Sequence, residues 1–382
     1  MPGKIIYTKE PAFINRTSEI KYLKDWIDQK PDQLLFIYGP KSSGKTTLLM
    51  KFIDENLNNK DFDIKNFNLR KIFISNYQSF IQTFFEIDYS LSNKDHIKKR
   101  QEYNLKVFKM TKEVIKDLEN KILDPFVVME KELQKIYKKG KRPIIIIDEL
   151  QALEDVYMNG QRELLNELFN FFVALTKELH LCHIIIASSD GYFMKRIYED
   201  SKLTKTSNFF EIDYLNKDDI KSWLSNLKKE SSITAYTLSE KQIEMIWKFF
   251  GGSMWEISDL LGHLIPLAKN KKVKNDDVND LIQRHINLNK GKFFHYARVN
   301  KLKKSLFKKM LLIIKKQCEF NESDLESIIN GDLYTEDQLT DELNNLVRLN
   351  YLAYNPISSS YKLQGKSMYY GLESFVESYR KG

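Results

Sequence analysis

The stretch "FIYGPKSSGKTTLLMKF", residues 36–52, decides how this chain folds. The apolar run at 34–38 ends at Gly39, which is how a buried parallel strand reads. Gly39, Pro40, Lys41, Ser42, Ser43 and Gly44 then crowd into one turn, followed by Lys45, Thr46, Thr47 and a helix-patterned run. "GPKSSGKT" fits GxxxxGK(S/T), and it lies between strand and helix as its mechanism requires. Two glycines allow backbone angles and a close approach that a Cβ would block.

A loop of this kind aims its amides and the helix N-terminus at phosphate. Lys45 is expected to reach the β- and γ-phosphates and Thr46 to give its hydroxyl to Mg²⁺. The expected cofactors are therefore ATP and Mg²⁺. A second stretch, "IIIIDE" at 144–149, supports this. An acid at the C-terminal end of an apolar strand belongs beside the phosphate loop, so Asp148 is the second expected metal residue. Glu149 is suited to orient or deprotonate an attacking water; the plainer reading is an acid favoured by a helix N-terminus. "IIIASSD" at 184–190 ends the next apolar run. In P-loop proteins with such an acid pair this strand adjoins the phosphate-loop strand. Ser188 or Ser189 at its tip then becomes a γ-phosphate sensor, or else part of an ordinary serine-rich turn.

The chain has 382 residues, more than one ordinary core, so two or three domains are expected. Hydrophobic content of 42% with 29% charged residues reads as globular. No apolar run has the length of a membrane span, and "MPGKIIYTKEPAF" lacks the features of a signal peptide. Cys182 and Cys318 match no metal or disulfide spacing. A cytoplasmic protein without a membrane partner is expected. The net charge of +8 is carried mostly by lysine, with arginine only at 16, 70, 100, 142, 162, 196, 284, 298, 348 and 380.

Helical spacing predicts a helix over 13–29. Strands are expected at 34–38, 71–75 ("KIFIS"), 143–150, 182–190 and 209–213, with a long helical stretch over about 80–139 that includes a charged, solvated face. Alternating strands and helices imply a parallel sheet covered on both faces. Residues 216–290 read as helices, and 305–363 as three helices followed by a hairpin at "NYLAYNPISSSYKLQ".

Together "FINRTSEIKYL" (13–23), "GPKSSGKT", "IIIIDELQAL" (144–153), "IIIASSDGYFMKRIY" (184–198) and "FFGGSMWEI" (249–257) resemble the archaeal ATPase family of STAND-type P-loop proteins, over about residues 12–260. The resemblance implies an ASCE-type P-loop NTPase α/β core at 1–213, with a helical insertion at about 77–139. It further implies a helical lid at 214–290 and a C-terminal winged-helix domain at 291–382. It places Arg16 near the adenine edge; the alternative is a surface helix cation. Where the family often has a Gly-Arg pair after the sensor strand, this chain reads "SKLTKTSNFF", leaving Lys205 as the nearest cation. Lysine cannot fork onto phosphate, so slow hydrolysis is expected.

The leading functional reading is an ATP-driven conformational switch whose partner is an unknown protein or another copy of the chain. The alternative is a nucleic-acid-binding, replication-initiator-like ATPase. That class normally carries a lid arginine, and residues 214–283 contain none. A small-molecule kinase ranks last. Specific DNA binding is not expected. The third C-terminal helix, about 335–350, leads with Glu336, Asp337, Asp341 and Glu342, whereas ten lysines and arginines and no acid lie in 290–316.

Overall fold

The computed structural model describes residues 7–88, 107–157, 162–199, 201–329 and 334–380. It divides into two compact units. The first takes residues 17–38 and 45–211. The second takes the residues up to Arg16, the loop Gly39–Gly44, and everything from Ile212 onward.

The first unit is an α/β sandwich. It contains α1 (Thr17–Ile27), β1 (Leu34–Tyr38), α2 (Lys45–Asn56), β2 (Phe62–Asn68), α3 (Tyr77–Phe84), β3 (Phe85–Ile87), β4 (Phe108–Met110) and α4 (Lys112–Glu119). There follow α5 (Pro125–Lys138), β5 (Arg142–Asp148), α6 (Leu164–Val173), β6 (His183–Ala187), α7 (Gly191–Glu199), α8 (Ser201–Thr204) and β7 (Ser207–Glu211). The main sheet is parallel, in the order β2-β5-β6-β1-β7. Every residue of β1 and β6 is buried, so the apolar runs are strands covered on both faces. β6 adjoins β1, as the acid-pair pattern predicted, and separates it from β5.

Two expectations fail here. "KIFIS" is not a strand: Leu69–Lys71 form a 3₁₀ turn, and Phe73 is 87% exposed. The strand is β2, "FDIKNFN", which the sequence hides behind polar residues. It is an edge strand that pairs, among the described residues, with β5 alone; Asp63, Asn66 and Asn68 are half-buried, and Lys65 bonds Asp63 at 2.8 Å. The stretch 80–139 is also not one long helix. Asn76, Thr111 and Asp124 each cap a separate short helix, and β3 and β4 pair in parallel between them. Phe67 of β2 stacks there with Phe84 of α3 and Phe108 of β4, burying aromatic surface that one solvated helix would leave in water. The charged segment at 93–106 lies outside the described residues.

The second unit is mostly helical. It holds α9 (Lys217–Ser225), α10 (Leu227–Ser231), α11 (Glu240–Phe250), α12 (Met254–Leu264), α13 (Asn275–Ala297), α14 (Lys301–Ile314), α15 (Glu326–Ile329) and α16 (Glu336–Arg348). The antiparallel hairpin β8 (Leu352–Asn355) and β9 (Ser360–Leu363) and the helix α17 (Lys366–Arg380) follow. One core joins Ile14, Trp223, Ile246, Phe250, Leu260 and Ile282. α13 packs along α17. At that crossing a Cβ on Gly371 would lie 2.6 Å from the Asn289 side chain, so only glycine lets the helices meet so closely. Position 290, the boundary read from the sequence, falls within α13.

Candidate nucleotide site

In the first unit the C-terminal ends of β5 and β6 gather the acids and hydroxyls. Thr46, in the first turn of α2, donates its Oγ1 proton to Asp148 Oδ2 at 2.7 Å. Asn68, the last residue of β2, donates from Nδ2 to the same oxygen at 3.4 Å. The Asn68 Oδ1 atom is buried without a hydrogen-bond partner. A hydroxyl, a carboxylate and an unanswered amide oxygen form a hard-oxygen cluster that suits Mg²⁺ and its waters. Lys45 is buried beside Thr46 in the chain, and Thr47 is exposed.

Glu149 is 7% exposed and sits at φ 65°, a left-handed conformation that costs of order 1 kcal/mol or more in a non-glycine residue. It precedes a 3₁₀ turn, but its side chain makes no cap bond. Instead its carboxylate accepts from Arg70, from Gln151 and from Ser189 Oγ at 2.8 Å. The helix-terminus reading of Glu149 is therefore replaced by a carboxylate held by three donors. The two serines also separate. Ser189 touches Glu149, whereas Ser188 donates to Gln151 Oε1 at 3.0 Å and accepts from the Asp190 amide at 3.0 Å. Ser188 is thus bound into the turn and braces the glutamine that braces Glu149.

Arg70 was missed in the sequence. It follows β2, and its guanidinium lies on Glu149 and 3.3 Å from Ser189 Oγ. The only available signal was the scarcity of arginine, because the contact depends on β2 pairing with β5. Lys205, the cation expected from the sequence, is misplaced for this role. It precedes β7, whose first residue pairs with Leu34 at the start of β1. The acid pair lies at the strands' other ends, about four residues or roughly 13 Å away.

In the second unit the loop is fixed through its backbone. Gly39 has φ 143°, and a Cβ there would sit 2.2 Å from the Ile212 carbonyl oxygen. Gly44 has φ 95° with open space around it, so its backbone angle alone calls for glycine. Ser42 also has positive φ, and Ser43 is buried with its amide donating to the Pro40 carbonyl at 3.2 Å. Lys41 gives its amide to Gln364 Oε1 at 3.0 Å and takes the Tyr214 hydroxyl on its carbonyl at 3.1 Å. Arg16 is 7% exposed, which removes the surface-cation reading. Its Nη2 donates to the carbonyls of Ser43 and Asp213, each at 2.8 Å.

A family model described as an ATPase domain predominantly from Archaea matches residues 13–260. The chain is 33% identical over 370 residues to an ATP-binding protein of Methanocaldococcus jannaschii, covering 96% of this chain and 95% of that one. Among solved structures it resembles a Walker-type ATPase of Pyrococcus abyssi, with a TM-score of 0.63, 17% identity, and coverage of 97% and 99%. It also resembles the ADP form of the Aeropyrum pernix ORC2 protein, with a TM-score of 0.57, 12% identity, and coverage of 98% and 96%. These two structures share the fold with this chain.

Proposed function

The chain belongs to the family of ATPase domains found predominantly in Archaea, and on that premise we propose that it is a slow, Mg²⁺-dependent ATP hydrolase working as a conformational switch of the STAND type. The observation that carries this reading is the 2.7 Å bond from Thr46 to Asp148 beside the held carboxylate of Glu149. In this reading the amides of Gly39 to Thr47 and the Lys45 ammonium bind phosphate. Thr46 and Asp148 hold Mg²⁺, which when bound offsets phosphate charge. Glu149 orients a water and accepts its proton. Ser189 and Arg70 fix the Glu149 carboxylate, and Arg16 supports the loop from behind. The domains assigned are a core at 1–213 with its insertion at 77–139, a lid at 214–290, and a winged-helix-like domain at 291–382. The order α14, α15, α16, β8, β9 supports the last of these. Sedimentation with and without nucleotide, run beside an ATPase assay, tests the switch: hydrolysis with no change in shape or assembly between ATP and ADP would remove it.

Two cations are predicted to differ sharply. Arg70→Ala should cut hydrolysis by about tenfold, with ATP affinity kept within about twofold, since a mobile base loses the oriented geometry that catalysis needs. Arg70→Lys should recover part of the loss, and a faster Arg70→Ala enzyme would make the ion pair a brake. Lys205→Ala should leave hydrolysis unchanged, and a matching tenfold loss would return Lys205 to the site.

Among the basic residues at 290–316, Lys303 bonds Glu342 of α16 at 3.4 Å and Lys315 bonds Glu373 at 2.6 Å. Lys301, Lys308, Lys309 and Lys316 make no ion pair among the described residues. We propose that any DNA contact is salt-sensitive backbone contact through these lysines, not base reading by the acidic α16. In gel shifts at physiological salt, reversing the charge of these four lysines should abolish what binding there is. A tight complex that survives this but is lost on changing 335–350 would overturn the assignment.

A further inference from the structure

We propose that a cleft in the second unit, of about 970 Å³, is a binding site for a small organic anion with a flat, apolar body. Its volume suits a small-molecule ligand. Its walls come from α11, which gives Trp247, Lys248 and Phe249, and from α17, which gives Lys366, Tyr369 and Tyr370. Phe249 and Tyr370 meet with ring centroids 4.5 Å apart at an interplanar angle of 47°, which puts two packed aromatic rings in the cleft wall.

The acids of the cleft are already paired. Glu244 at the rim is bonded by Lys217 at 2.9 Å and Lys221 at 2.6 Å. Asp213 is bonded by Lys362 at 2.7 Å. Lys248 and Lys366 have no carboxylate partner among the described residues. Each lies against an aromatic ring, Lys366 at 4.4 Å from the Trp247 centroid and Lys248 at 5.3 Å from that of Phe249. Partial burial draws the Lys366 ammonium below its ordinary pKa. Two cations without a carboxylate partner among the described residues, the partly buried Lys366 and the exposed Lys248, lie against aromatic rings, so the cleft favours an anion whose body stacks while its head meets the lysines. The inference does not rest on the switch reading, because these residues are not those assigned to nucleotide chemistry.

Cys318 lines the same cleft and is exposed, while the chain's other cysteine, Cys182, is buried. A thiol reagent therefore reports on this site. The full chain, saturated with Mg-ATP to fill the nucleotide site, is titrated with 8-anilinonaphthalene-1-sulfonate. The expected result is saturable fluorescence enhancement together with at least fivefold slower alkylation of Cys318 by iodoacetamide. In the Lys248→Glu/Lys366→Glu variant, with an unchanged circular dichroism spectrum, the probe's Kd should rise at least tenfold. Undiminished Cys318 alkylation in the native chain at saturating probe would overturn the site. Equal competition by the neutral analogue 1-naphthalenemethanol would overturn the anionic requirement.

Discussion

Glu149→Gln is expected to bind Mg-ATP with unchanged affinity and to hydrolyse it roughly 10²-fold more slowly or worse, because an amide cannot take a proton from water. The surroundings of Glu149 sharpen this expectation. The carboxylate accepts from Arg70, Ser189 and Gln151 at once. A glutamine offers one accepting oxygen and one donating nitrogen. If its oxygen stays toward Arg70 and Ser189, its nitrogen faces the Gln151 amide nitrogen, and two donors oppose each other. Turning Gln151 over would remove that opposition but leave the Ser188 hydroxyl proton without the oxygen that now accepts it, so one hydrogen bond is lost either way. The substitution should therefore also lower the stability of the nucleotide-free chain by about 1–3 kcal/mol, the cost of an unmade buried hydrogen bond. Single-turnover hydrolysis, equilibrium binding and denaturant unfolding separate the two effects. A variant that turns over at the parental rate would place the base elsewhere.

The parts of this site that were legible in the sequence are those where local pattern and function coincide. β1, β5 and β6 are apolar runs because both faces of each strand are covered, and the residue that ends each run stands at the sheet end where Asp148 and Glu149 lie. Asp148, Glu149, Ser188 and Ser189 could thus be placed by counting to the end of a strand. Thr46 could be placed from the first turn of α2. That β6 adjoins β1 followed from the acid pair, not from composition.

The rest was hidden for separate physical reasons. β2 carries Asp63, Lys65, Asn66 and Asn68, and an edge strand tolerates them because only one of its edges is bonded. The apolar "KIFIS" next to it drew the strand assignment to 71–75, nine residues past the start of β2. That shift also hid Arg70. Reading 71–75 as the strand puts Arg70 at the strand's start, at the far edge of the sheet from Glu149. With β2 ending at Asn68, Arg70 comes just after the strand and arrives beside the acid pair. Lys205 fails by the same rule in reverse, since a residue before a parallel strand lies at the sheet end away from Asp148 and Glu149. Arg16 was ambiguous because its partners are the carbonyls of Ser43 and Asp213, and carbonyls leave no trace in a sequence pattern.

Lys45→Ala should abolish nucleotide binding. The loop amides carry only partial charges, and the β/γ-phosphates need a full cation at close range. The measurement is a melting curve for each protein with and without nucleotide. A ligand that binds only the folded state adds RT ln(1 + [L]/Kd), which is about 2.7 kcal/mol at 100 times Kd. The parental chain should gain that much with Mg-ATP, and Lys45→Ala should gain nothing. Each protein must be compared with itself. Lys45 is only 5% exposed, and burying an ammonium is costly, so its removal alters the baseline before any ligand is added. A nucleotide-free Lys45→Ala chain that melts at or above the parental temperature is therefore consistent with the assignment, provided Mg-ATP no longer shifts it. The decisive result is the increment: an undiminished ATP-dependent rise in Lys45→Ala would show that phosphate is held without this lysine, and the loop would lose its assigned role.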